Sequence, residues 1–206
     1  MAFNLADFVE HTVDAVPDRT ALICGDRQTT FAELEDRANR LAHHLAAQGI
    51  GPDDHVAIYS YNSIEFVEAM LAAYKLRAVP INVNFRYVED ELVYLLDNSD
   101  SVALVFQAQF APLVGAIGPR LPRLRHLVVV DDGTADPVDV GAVRYEDALA
   151  DASPARDFGP RSDDDTYILY TGGTTGYPKG VVWRHEDVWR VLGGGIDFLT
   201  AVRIEE

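Results

Sequence analysis

From His55 to Val130, short β-branched runs alternate with stretches that carry a helical period. His55–Ser60, Val79–Val83, Val102–Phe106 and Leu127–Val130 read as strands; a helix from Asn62 or Ser63 to about Leu76, then Val88–Asp97 and Phe110–Ile117, read as the helices between them. Consecutive strands joined through helices lie parallel, with the helices packed on the sheet faces. Leu127–Val130 is apolar at every position, as a strand covered on both faces requires. The alternation therefore predicts an α/β fold with a parallel-rich sheet layered with helices.

The segment before this alternation is also legible. Leu5, Phe8, Val9, Thr12, Val13 and Val16 form one helical stripe, capped by Asn4 and stopped by Pro17. Ala21–Cys24 and Gln28–Thr30 flank the turn signal Gly25-Asp26 and predict a hairpin. Thr30 and Glu33 have the spacing of a capping box, which opens a helix with Leu34, Ala38, Leu41 and Leu45 on one face and Gly49 as its stop. His43 and His44 read as surface or boundary residues of that helix. Cys24 lies in an apolar run and reads as a buried, inert thiol. Asp131–Pro160, rich in Asp, Gly, Ala and Pro, reads as a surface excursion with one short helix near Tyr145–Ala150.

Charge narrows the partners. The chain carries 17 basic and 33 acidic residues, a net charge of −16, which repels nucleic-acid phosphates and anionic lipid surfaces. The acidic residues are scattered apart from Asp163–Asp165, whose simplest reading is solubility. A lone cysteine cannot build a disulfide framework, and the first ten residues lack the basic start of a signal peptide. No apolar run approaches the ~18 residues of a membrane span. A cytoplasmic protein is expected.

The stretch that carries chemistry runs from Asp165 to Trp183. Thr166–Tyr170 and Val181–Trp183 read as strands around a loop, Gly172–Gly180, built of glycines, threonines, one proline and one lysine. Glycines let the backbone turn sharply and bring N–H groups close to an anion. Thr171, Thr174 and Thr175 offer hydroxyl donors, Lys179 a positive charge, and Pro178 a fixed φ just before it. Each of these suits a polyphosphate. The loop lacks the G-x-x-x-x-G-K-[ST] order and the following helix of a Walker A motif, and it is not a G-x-G-x-x-G dinucleotide motif.

The ordered string Tyr170 to Gly180 resembles the phosphate-binding signature of the adenylate-forming superfamily, which includes acyl-CoA synthetases, luciferases and the adenylation domains of peptide synthetases. It departs from the usual Tyr-Thr-Ser-Gly-Thr-Thr-Gly-x-Pro-Lys-Gly at one position, where Gly172 replaces the serine. The resemblance extends over the chain, through Thr30–Ala42, His55–Phe66 and Tyr74–Tyr87. Asn84–Leu92, Trp183–Asp187 and Leu192–Gly195 are most similar to bacterial fatty-acyl and steroid-side-chain CoA synthetases.

The resemblance implies a two-step reaction. A carboxylate and ATP give acyl-AMP and pyrophosphate, and coenzyme A then displaces AMP. It implies ATP, Mg²⁺ and coenzyme A as co-substrates, with no metal ligand in this chain. Lys179 is the implied catalytic residue; Thr171, Gly172, Gly173, Thr174, Thr175, Gly176 and Lys179 are the implied nucleotide-binding set. The adenine-binding segment, the Thr-Glu pair for magnesium, the ribose-binding aspartate and the small C-terminal domain with its lysine find no match here. Residues 1–206 are therefore expected to be a truncated N-terminal part of an AMP-binding domain, inactive alone. Two alternatives stay open: a non-catalytic interaction module, and an adenylation domain that loads a carrier protein. A homo-oligomer is possible. Trp183, Trp189 and His185 are expected to be structural, and Arg86 and Tyr87 to be exposed interface candidates.

Overall fold

The structure, a computed structural model, describes residues 4–135, 138–171 and 177–192. Helix α1 (Leu5–Ala15) starts where the Asn4 side chain accepts the Ala6 N–H at 2.9 Å. Strands β1 (Thr20–Cys24) and β2 (Arg27–Thr30) pair antiparallel around Gly25, whose φ of +59° suits a residue without a Cβ. The capping box forms as expected: Thr30 Oγ1 accepts the Glu33 N–H at 3.2 Å, and Glu33 Oε2 accepts the Thr30 N–H at 2.8 Å. It opens α2 (Phe31–Ala47), which ends just before Gly49 at φ +74°.

The alternating region folds as β3 (His55–Tyr59), α3 (Ile64–Lys75), β4 (Val79–Val83), α4 (Glu89–Asn98), β5 (Ala103–Gln107), α5 (Ala111–Ile117) and β6 (His126–Val130). There follow β7 (Val143–Arg144), α6 (Tyr145–Ala150), β8 (Thr166–Thr171), β9 (Lys179–Arg184) and α7 (His185–Leu192). The sheet order is β7-β6-β5-β3-β4-β8-β9. All neighbours are parallel except β8 and β9. From β3 the chain moves to β4 on one side and then crosses to β5 on the other. Strand order thus reverses at β3, and ligand crevices in open α/β sheets form at the carboxyl ends beside such a reversal.

Strand parity sorts the core. Val56, Ile58 and Val105 face α2, α3 and α6, where Leu41, Leu45, Ala69 and Leu149 meet them. Ala57, Tyr59, Ile81 and Phe106 face α4 and α5, where Leu92, Leu95 and Val114 meet them. Burying each of the larger aliphatic chains contributes about 1.5–3 kcal/mol. No helix among the described residues is long and apolar enough to cross a membrane.

Four expectations need correction. The stretch after Asp131 is more than a surface excursion: it adds β7 to the sheet and plants Tyr145, 2% exposed, in the core. The Tyr145 hydroxyl donates to Glu68 Oε2 at 2.7 Å, and Arg37 Nε donates to Glu68 Oε1 at 2.7 Å. Burial raises the Glu68 carboxyl pKa, and these two partners pull it back. The chain then runs to β8 as an extended strap over α2, held by Asn39 to the Pro154 carbonyl at 2.8 Å and by Arg156 to Glu35 at 2.7 Å. Glu35 also takes the buried Lys75 Nζ at 2.9 Å, beside Glu10 at 2.5 Å, so that cation is paired rather than stranded.

Tyr87 is no interface residue; it is buried against the α4 face, and its carbonyl accepts the Tyr59 hydroxyl at 3.0 Å. Cys24 is half-buried rather than buried, because β1 lies in a two-stranded hairpin outside the main sheet. Lys179 and Gly180, expected in the loop, are the first residues of β9. His44 is a boundary residue as expected, but its Nε2 lies 3.0 Å from His126 Nε2 at the start of β6. Burial lowers both imidazole pKa values, His126 to about 4.

Candidate active site

Strands β8 and β9 form a hairpin with Thr166 opposite Arg184 and Thr171 opposite Lys179. Because β8 is parallel to β4, its end at Thr171 lies on the carboxyl edge of the sheet. The Thr171 hydroxyl donates to the Lys179 carbonyl at 3.5 Å, and both residues are exposed. Gly172, Gly173, Thr174, Thr175 and Gly176 lie outside the described residues. The flanks therefore bring the backbones of Thr171 and Lys179 together at the mouth of the loop, both side chains exposed.

The return arm, Tyr177 to Gly180, is seated on α4. The Tyr177 ring stacks on Tyr94 at 4.4 Å, and Tyr170 donates its hydroxyl to Asn98 Oδ1 at 2.8 Å. Gly180 has no room for a side chain: a Cβ would lie 2.9 Å from Ile168 Cγ2 and 3.2 Å from the Tyr170 ring. Glycine is favoured here by close approach across the hairpin rather than by backbone conformation.

The foot of the hairpin is locked by Asp165, a buried residue that the charge-run reading assigned to solubility. Its carboxylate accepts Asn4 Nδ2 at 2.9 Å, Arg77 Nε at 3.0 Å and the Ser162 N–H at 3.0 Å. Its carbonyl accepts the His185 N–H at 2.8 Å. His185 is structural, as expected: it is the first residue of α7, and its Nδ1 accepts the Leu5 N–H, an orphan donor at the start of α1. Burial holds its pKa down, to about 4, so it is a neutral acceptor at pH 7, partly opposed by Asp165. Trp189 packs as expected, stacked on Phe8 at 3.8 Å.

A family model described as AMP-binding enzyme matches residues 9–200. The chain belongs to the AMP-binding enzyme family. Within that family it is 58% identical over 207 residues to a 3-oxocholest-4-en-26-oate–CoA ligase from Rhodococcus rhodochrous, covering all of this chain and 37% of that protein. It is 56% identical to a medium/long-chain-fatty-acid–CoA/3-oxocholest-4-en-26-oate–CoA ligase from Mycobacterium tuberculosis, again over the whole chain and 38% of the relative. Among solved structures, an anthranilate CoA ligase in complex with anthranoyl-AMP superposes with a TM-score of 0.85 at 26% identity, over 95% of this chain and 38% of that one. The chain thus spans well under half the length of the relatives it matches.

Against this AMP-binding frame, the sequence-predicted residues divide plainly. Thr171 and Lys179 are brought together; the five between Gly172 and Gly176 are not described. Sequence reasoning missed Tyr94, Asn98, Arg77 and Asp165, which hold the hairpin from outside the motif. Nothing local announces them: each is an ordinary surface-type residue until the sheet order places α4 and α3 beside β8.

Proposed function

We propose that this chain supplies the triphosphate-gripping part of an AMP-forming acyl-CoA ligase for fatty or steroid-side-chain carboxylates. Residues 1–206 are read as the N-terminal part of its AMP-binding domain. The observation that carries the reading is Thr171 paired with Lys179 across the mouth of a glycine-rich loop on the carboxyl edge of the sheet. The names of the relatives, and their 58% and 56% identity over the length of this chain, support the acyl-CoA branch.

In this reading Thr171, Gly172, Gly173, Thr174, Thr175, Gly176 and Lys179 hold the β- and γ-phosphates of ATP. A carboxylate oxygen bonds to the α-phosphorus, the bond to the β-phosphate oxygen breaks, and pyrophosphate leaves. The thiol sulfur of coenzyme A then bonds to the acyl carbon, losing its proton, and AMP departs. Negative charge grows on the leaving pyrophosphate in the first step, so a fixed cation and fixed donors beside it stabilise that transition state. Gly172 offers a backbone N–H but no hydroxyl, which removes one donor relative to the serine form of the signature. Among the described residues no three or more His, Cys, Asp or Glu side chains are grouped to hold a metal. Mg²⁺ is read as arriving with ATP, held largely by its phosphates, and no step is routed through it. A cytoplasmic place of action belongs to the same proposal, since ATP and coenzyme A are its co-substrates.

The test uses the polypeptide that carries this chain at the length of its relatives. Given ATP, Mg²⁺, coenzyme A and a panel of fatty and steroid-side-chain acids, it should release AMP and form acyl-CoA only when an acid is present. No acid-dependent AMP release with any member of the panel overturns the reading. Transfer to a carrier-protein thiol, with coenzyme A inert, replaces it with the adenylation-domain alternative.

A further inference from the structure

We propose that Tyr94, on α4 and outside the glycine-rich motif, is a positioning residue for Lys179. The proposal rests on the reading that Lys179 faces the phosphates of ATP. Tyr94 stacks on Tyr177, two residues before the lysine, with ring centroids 4.4 Å apart and planes 29° from parallel. One turn further along α4, Asn98 accepts the Tyr170 hydroxyl at 2.8 Å. Residues four apart share a helix face, so α4 presents both contacts to the hairpin together. The Tyr170 ring in turn lies 3.2 Å from where a Gly180 Cβ would stand. The backbone of Lys179 is thus held on both sides, by Tyr177 before it and Gly180 after it. Pro178, buried between Tyr177 and Lys179, removes one backbone rotation from the link.

The base of this seat is rigid. Leu92, Leu95 and Leu96 anchor α4 in the core and are at most 1% exposed. The Tyr94–Tyr177 pair itself contributes little to that core, since Tyr177 is 63% exposed. A contact that adds little to folding but fixes the backbone beside a ligand-binding cation acts by pre-organisation: the arm is ordered before ATP arrives. Its loss falls on ATP use and leaves the second half-reaction alone, because pyrophosphate has left by then.

Tyr94→Ala, Tyr94→Phe and Lys179→Ala in the full-length polypeptide separate the possibilities. Losing one aromatic pair predicts about a two- to tenfold rise in KM for ATP for Tyr94→Ala. Tyr94→Phe keeps the stacking and should restore the wild-type value, and thioester formation from synthetic acyl-AMP should be unchanged in all three variants. A defective Lys179→Ala beside an unaltered KM in Tyr94→Ala overturns the positioning role. If Lys179→Ala also uses ATP normally, the reading of the loop itself fails. Should Tyr94→Ala not fold, Tyr177→Ala probes the exposed partner of the same pair; a wild-type KM for ATP there overturns the proposal, and a matching rise upholds it.

Discussion

Lys179 sits at a boundary: its backbone is the first rung of β9, and its side chain is exposed. A point charge in water-screened surroundings is worth less than a buried one. Lys179→Ala should therefore slow adenylation by about 5- to 150-fold, equivalent to about 1–3 kcal/mol for a hydrogen bond to a charged group. Supplying acyl-AMP should bypass the defect, and an equal slowing with acyl-AMP would show that Lys179 does not face the leaving phosphates. Its neighbour Gly180 is constrained by space. A Cβ 2.9 Å from Ile168 Cγ2 forces a shift, and overpacking typically costs ~1–3 kcal/mol. Gly180→Ala should lower the denaturant midpoint by an amount in that range. The Gly180 edge is exposed, so the lower end is expected; an unchanged midpoint would mean that the Tyr170 ring swings aside freely.

At the scale of elements, α1, α3, β8 and α7 meet at one buried polar knot, and His185 sets its pH response. The folded pKa of His185 is about 4, below its ordinary value of 6.5, because burial disfavours the imidazolium. Between those values the unfolded chain binds a proton that the folded chain does not. Stability is therefore full above pH 6.5 and is lost as pH falls toward 4. His126, lowered to about 4 by burial and by His44, adds to the same window with the same sign. Replacing His185 with Asn keeps an acceptor in reach of the Leu5 N–H but removes the titration. His185→Asn should reduce the slope of unfolding free energy against pH by up to one proton between pH 6.5 and 4. A slope identical to wild type would show that His185 is accessible to protons in the folded state.

For the whole molecule, the outer strand matters most. Among the described residues β9 is one edge of the seven-stranded sheet, with Val182 61% exposed. Leu169 and Val181, opposite each other in the hairpin, are exposed as well. An apolar edge with free backbone donors and acceptors invites pairing with a second chain. The net charge of −16 opposes it, and salt screens that repulsion. Sedimentation velocity on the 206-residue chain should show concentration-dependent association that rises with salt. Val182→Lys should suppress it. A monomer at every concentration and salt level would show that the edge is already shielded.

The elements themselves were legible because their causes are local. Apolar period, the Thr30–Glu33 box and the stop at Gly49 depend on residues within one or two turns, and each appears where the pattern puts it. The pairing of Thr171 with Lys179 follows from near neighbours too, because the two strands are joined by one short loop; their role toward phosphate rests on the family signature. What lay beyond reach depends on which strands become neighbours. Tyr87 looked exposed until β3 brought the Tyr59 hydroxyl to its carbonyl. Asp165 looked like a solvated acid until β8 lay beside β4, bringing the foot of the hairpin to Arg77 and Asn4. The sequence alone determined the alternation of elements and the family signature, both set by near neighbours along the chain. Only the tertiary structure decided what holds the hairpin, because Tyr94 lies 83 residues before Tyr177, and Arg77 and Asn4 lie 88 and 161 residues before Asp165, and all three meet it through the strand order.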